Sequence, residues 1–82
     1  MVLPIRVRCN LPALQFTEVT RTLTASRNGA SFTAHHALSE GMTVYVLMPY
    51  SQEDSAPLEK RARVVRVEKK PSGLEVGIEF LS

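Results

Sequence analysis

The residues best equipped for chemistry fall in two short runs. The first is Thr24-Ala25-Ser26-Arg27-Asn28-Gly29-Ala30. A serine hydroxyl donates and accepts, glycine lets the backbone approach a ligand closely, and exposed amides in a tight turn can meet an anion or a base edge. Taken alone, the same residues also describe an ordinary β-turn. The second run is basic: Lys60, Arg61, Arg63, Arg66, Lys69 and Lys70 crowd together, with Glu59 and Glu68 as the acids among them. Such a run reads either as a solvated strand face whose charge discourages edge-to-edge association or as an anion-binding surface.

Catalytic constellations are not expected. His35 and His36 are adjacent, and successive side chains on a strand point to opposite faces, so a shared metal is disfavoured. Ser26 has no histidine beside it in sequence, and Arg27-Asn28-Gly29 suits a turn better than a nucleophile elbow. Glu75 and Glu79 share one face of a strand pattern, where paired carboxylates are more often solvated than set up as an acid/base pair. The chain is therefore read as a binding module that is not an enzyme and carries no metal or cofactor.

Composition agrees with a small soluble fold. The 82 residues are 44% hydrophobic and 22% charged, with a formal net charge of +2. That length suits one domain over residues 1–82, with a stability margin of a few kcal/mol. The lone Cys9 excludes an intramolecular disulfide and favours a reducing compartment, hence the cytoplasm. No stretch approaches the roughly 20 apolar residues of a membrane span, and the amino terminus lacks a signal-peptide pattern.

The elements that must position these residues read as strands. Leu3, Ile5 and Val7 alternate with Pro4, Arg6 and Arg8, and Pro4 suits the start or edge of a strand. Thr17 to Ala25 forms a threonine-rich second strand, with Val19 and Leu23 on one face and Glu18, Thr20 and Thr22 on the other. Asn28-Gly29 predicts the following hairpin turn with Gly29 at positive φ, after which Ala30, Phe32 and Ala34 alternate inward. Thr43 to Met48 is apolar on both faces and is stopped by Pro49; Tyr50 to Pro57 reads as an exposed connection.

Arg61 to Glu68 resumes β character, and its apolar phase slips between Val64 and Val65, which predicts a bulge. After Pro71-Ser72-Gly73, Leu74, Val76, Ile78 and Phe80 give the cleanest alternation in the chain. His35 to Glu40 has room for one helical turn at most. The expected class is all-β, a small six-stranded antiparallel barrel with Ile5, Val7, Leu23, Phe32, Val46, Val64, Val76, Ile78 and Phe80 inside.

The order of these segments resembles the PilZ family along almost the whole chain. The resemblance is carried by Leu3 to Arg8, then Ser26-Arg27-Asn28-Gly29-Ala30-Ser31-Phe32, Leu38 to Val44, and Ala62-Arg63-Val64-Val65-Arg66-Val67. Its most telling block is the closing Gly73-Leu74-Glu75-Val76-Gly77-Ile78-Glu79-Phe80. It implies a split-barrel fold and a receptor for cyclic di-GMP that works by switching. The family's barrel motif is Asp or Asn, any residue, Ser, two residues, Gly. Ser26 and Gly29 match it, while Thr24 holds the acidic or amide position and loses a charge-assisted contact to guanine.

The family's second motif, arginine-x-x-x-arginine before the first strand, is not matched by Arg6 and Arg8, whose spacing differs. The resemblance thus implies a ligand site at Thr24, Ser26 and Gly29, with Arg21 and Arg27 as the nearby cations. Two other functions stand beside it. One is a PilZ-like adaptor that contacts a protein partner or fused output domain without nucleotide. The other is a small nucleic-acid-binding barrel using Lys60 to Lys70, which the scattered aromatics Phe16, Phe32, Tyr45, Tyr50 and Phe80 disfavour.

Overall fold

A computed structural model describes residues 2–48 and 59–81. Its strands are β1 (Pro4–Leu11), β2 (Leu14–Ala25), β3 (Gly29–Ala34), β4 (Thr43–Leu47), β5 (Lys60–Lys70) and β6 (Gly73–Phe80). They pair in the order β1-β2-β3-β6-β5-β4, and β4 returns to β1 to close the barrel. Every pairing is antiparallel. Among the described residues there is no helix, and His35 to Glu40 forms bends in place of a helical turn. Pro49 and the connection expected over Tyr50 to Pro57 lie outside the described residues.

Alternation in sequence becomes inside and outside in space. Ile5, Val7 and Cys9 of β1 point into the barrel, where they meet Phe32, Val44, Val46, Val64, Val76 and Ile78. Phe32 is 1% exposed, and burial of a side chain of that size stabilises by about 1.5–3 kcal/mol. Pro4 opens β1, where its missing N–H is least costly. The connection after β3 must cross the end of the barrel, because β3 and β4 lie on opposite sides of the ring. Leu38, midway along it, is buried in the core and plugs that end.

The structure corrects the expected face of β2. Leu23 is 47% exposed and Val19 56% exposed, whereas Thr22 is 1% exposed. The inward face therefore carries Phe16, Glu18, Thr20 and Thr22. Polar residues survive there because each of two key ones is satisfied from far along the chain. Thr22 Oγ1 accepts a hydrogen bond from the Leu3 N–H at 2.8 Å, and Glu18 accepts bonds from His35 and His36. Between Thr22 and Thr24 the register with β3 shifts, so Leu23 is a bulge residue turned out to solvent. Phe80, expected largely inside, packs partly buried against the core.

The bulge predicted in β5 is present: register with β6 shifts between Val64 and Arg66, which leaves Val65 exposed. β1 and β2 run further than their patterns indicated and meet across Pro12-Ala13, with Leu11 opposite Leu14.

Candidate functional site

β2 and β3 are joined through Ser26 to Asn28. The Ser26 N–H donates to the Gly29 carbonyl at 2.9 Å, and the Ser26 hydroxyl donates to the same oxygen at 3.3 Å. That hydroxyl also accepts the Asn28 N–H at 3.3 Å, so one serine braces the whole turn. Gly29 itself corrects the sequence reading. Its φ is not positive; the glycines at positive φ are Gly41 (91°) and Gly73 (136°). Gly29 is the first residue of β3, paired with Glu79. A Cβ there would stand 2.1 Å from the Ile78 carbonyl oxygen, so close passage of β6, and not the turn, demands glycine.

Two rungs along, the register lines up Thr24, Ser31, Gly77 and Arg66 on four consecutive strands of the ring. Ser31 is 6% exposed and shares a 2.7 Å hydrogen bond with Thr24 Oγ1. Gly77 is buried, and the Arg66 side chain lies across it: a Cβ on Gly77 would meet the Arg66 Nε at 3.5 Å. The flanking bulges, at Leu23 in β2 and Val65 in β5, bend the outer strands of this patch. The result is a depression of about 610 Å³ bordered by Thr24, Ser26, Gly29, Ser31, Arg66 and Gly77 among others. Its lining combines glycines and small side chains with Val65, Ile78 and Phe80, and carries hydroxyls, the Asn28 amide, Glu79 and one guanidinium.

Comparison with known proteins bears on this arrangement. The family model described as PilZ domain matches residues 1–82. The chain belongs to the PilZ domain family. This is a family of cyclic di-GMP-binding and signalling modules. No curated protein and no solved structure matches the chain.

Ser26 and Gly29, which match the PilZ barrel motif, and Thr24, which departs from it, all border one recess. Arg27 is exposed in the turn, and Arg21, exposed on β2, pairs with Pro4 of β1; neither borders it. Arg66 and Ser31 are functional candidates that motif reading passed over. The signal for Arg66 was the β5 phase slip, since the bulge at Val65 is what turns Arg66 to the face carrying Gly77.

Two other polar clusters in this PilZ domain have structural tasks. Both histidines leave β3 and converge on Glu18, with His36 Nδ1 at 2.7 Å and His35 Nδ1 at 3.1 Å from its carboxylate. The bends after β3 bring the two rings to one carboxylate, which strand geometry would forbid. His36 also stacks on Phe16 at 4.1 Å. Burial pushes the Glu18 carboxyl up, but hydrogen bonds from the His36 ring, the His35 N–H and the His35 ring together hold it below the ordinary range.

At the β1–β4 seam, Arg8 grips both oxygens of Glu59 (3.1 and 2.9 Å) and Arg6 reaches it at 3.2 Å. Arg8 also lies over the Tyr45 ring, 4.7 Å from its centre. The Arg8 hydrogen bond holds Glu59 below the usual carboxylate range against partial desolvation. Among the described residues no group of histidine, cysteine or acidic side chains is arranged to hold a metal.

Proposed function

We propose that this chain is a cyclic di-GMP module that acts by switching, with the dinucleotide docking in the recess at Thr24, Ser26 and Gly29. The observation that carries this reading is the convergence of all three motif positions on one recess floored by Gly29, Ser31 and Gly77. A flat base settles onto backbone where side chains are missing, and the amides and hydroxyls of the Ser26 turn are the donors and acceptors that fix its edge. Arg27, in the adjoining turn, and Arg21 add positive charge on the β2 side.

Calorimetric titration with cyclic di-GMP tests the assignment. Thr24→Asp should strengthen binding by restoring a charge-assisted contact, and Ser26→Ala should weaken it. A folded Thr24→Asp variant that still fails to bind would favour a second reading, a PilZ adaptor that works through a protein partner or fused output domain. One observation supports that reading. The Thr24 and Ser26 hydroxyls already have intramolecular partners at 2.7 and 3.3 Å.

A further inference from the structure

Among the described residues, Arg66 is the only arginine or lysine whose side chain borders the recess. It stands in register with Gly77 and reaches diagonally to Glu75, Nη2 to Oε2, at 3.3 Å. Glu75 occupies an electrostatically awkward place, because its direct partner across the β5–β6 ladder is Glu68. Like charges opposite one another destabilise a sheet. Lys70 answers Glu68 at 3.3 Å and Arg66 answers Glu75.

We propose that Arg66 binds a phosphate of the dinucleotide and that Glu75 is the counter-ion this phosphate must displace. The inference rests on the nucleotide reading above and names its missing clamp. A guanidinium that already engages a carboxylate beside a glycine floor has the fork geometry that phosphate uses. When ligand takes Arg66, Glu75 is left opposite Glu68 without its cation, and that repulsion is charged against binding. Glu75 thus sets the affinity through Arg66 without touching the ligand, as a positioning residue.

Calorimetry with cyclic di-GMP on the full chain, with melting temperature as the fold control, tests this. Arg66→Ala should weaken binding at least about tenfold, and Arg66→Lys should recover only part of it, since a point charge replaces a fork. Glu75→Gln should tighten binding by about two- to fivefold. The decisive measurement is the double variant: Arg66→Ala with Glu75→Gln should bind no better than Arg66→Ala alone. Arg66→Gln replaces the alanine variant if the latter unfolds.

Tightening that persists without Arg66 would overturn the proposal, because Glu75 would then be repelling the ligand directly. Binding that is sensitive to Ser26→Ala but indifferent to Arg66 and Glu75 would overturn this inference alone. No binding by any variant at millimolar ligand, Glu75→Gln included, would overturn the nucleotide reading and this inference with it.

Discussion

Gly29 and Gly41 are both glycines for reasons that a substitution can separate. At Gly29 an added Cβ meets the Ile78 backbone oxygen at 2.1 Å, while at Gly41 it meets nothing within 4 Å but the backbone has φ 91°. Gly29→Ala forces β3 away from β6 and should cost about 1–3 kcal/mol or more, in the manner of an overpacked core. Gly41→Ala should cost about 1–2 kcal/mol, through backbone strain alone. Urea unfolding distinguishes them, and ligand binding separates them further, since only Gly29 borders the recess.

Glu18 gives a pH signature at the same scale. Its carboxyl is held below the ordinary range by His36 and His35, so its contribution is fully present above the unfolded carboxylate pKa near about 4.3. That contribution is lost as pH falls through the lower folded value. Glu18→Gln should flatten the acid limb of a stability-against-pH curve below about pH 5 and leave the neutral region unchanged. An unchanged acid limb would show that the contact with the histidines has no energetic weight. None of this was legible in the sequence, because the partners lie 17 and 18 positions from Glu18. Local pattern carries no trace of such pairing.

At the scale of elements, the two bulges decide which residues belong to the core. Ile78 is 4% exposed and Leu23 is 47% exposed. Ile78→Ala should therefore cost about 2–5 kcal/mol, and Leu23→Thr should change stability by no more than about 0.5 kcal/mol. Thermal melts of both variants check this. The strands with uninterrupted alternation, β1 and β6, could be read directly. The bulge in β5 was also legible, because a run of two valines breaks the period there. That in β2 was not, since Leu23 and Thr22 sit in an alternation that looks regular until β3 imposes its register. Hydrophobicity pointed the wrong way for this strand because hydrogen bonds to distant residues outweighed it.

The whole molecule is a ring of strands, and the recess belongs to one arc of it, β2-β3-β6-β5. An ion-pair cluster, Arg6 and Arg8 with Glu59, lies on the other arc, where β1 meets β4. This division leads to a binding prediction. The unmodified chain should bind cyclic di-GMP weakly, because Thr24 lacks an ionic or amide group and Arg6 and Arg8 do not have the arginine-x-x-x-arginine spacing. Each missing charge-assisted contact removes about 1.5–3 kcal/mol. Thr24→Asp together with an added arginine segment before Leu3 should recover part of that, and submicromolar binding by the unmodified chain would refute the expectation. The turn between β2 and β3 at Ser26 to Asn28 was readable in advance; the recess beside it was not. Its shape, and the presence of Arg66, depended on folding.

The floor beneath Thr24 and Ser26 depends on two residues without side chains: a Cβ on Gly29 would strike the Ile78 carbonyl oxygen at 2.1 Å, and one on Gly77 would lie against the Arg66 side chain. A recess built by subtraction is indifferent to what borders it. Its depth is fixed by two backbones passing close together, and its chemistry by side chains on the rim, so the two properties can change independently. Substitution along the rim can then retune or abolish recognition while the barrel keeps its form, whereas a single methyl added to the floor at Gly29 disturbs form and recognition together. A lineage carrying this barrel could lose one ligand and acquire another partner without refolding, provided those two positions stay bare.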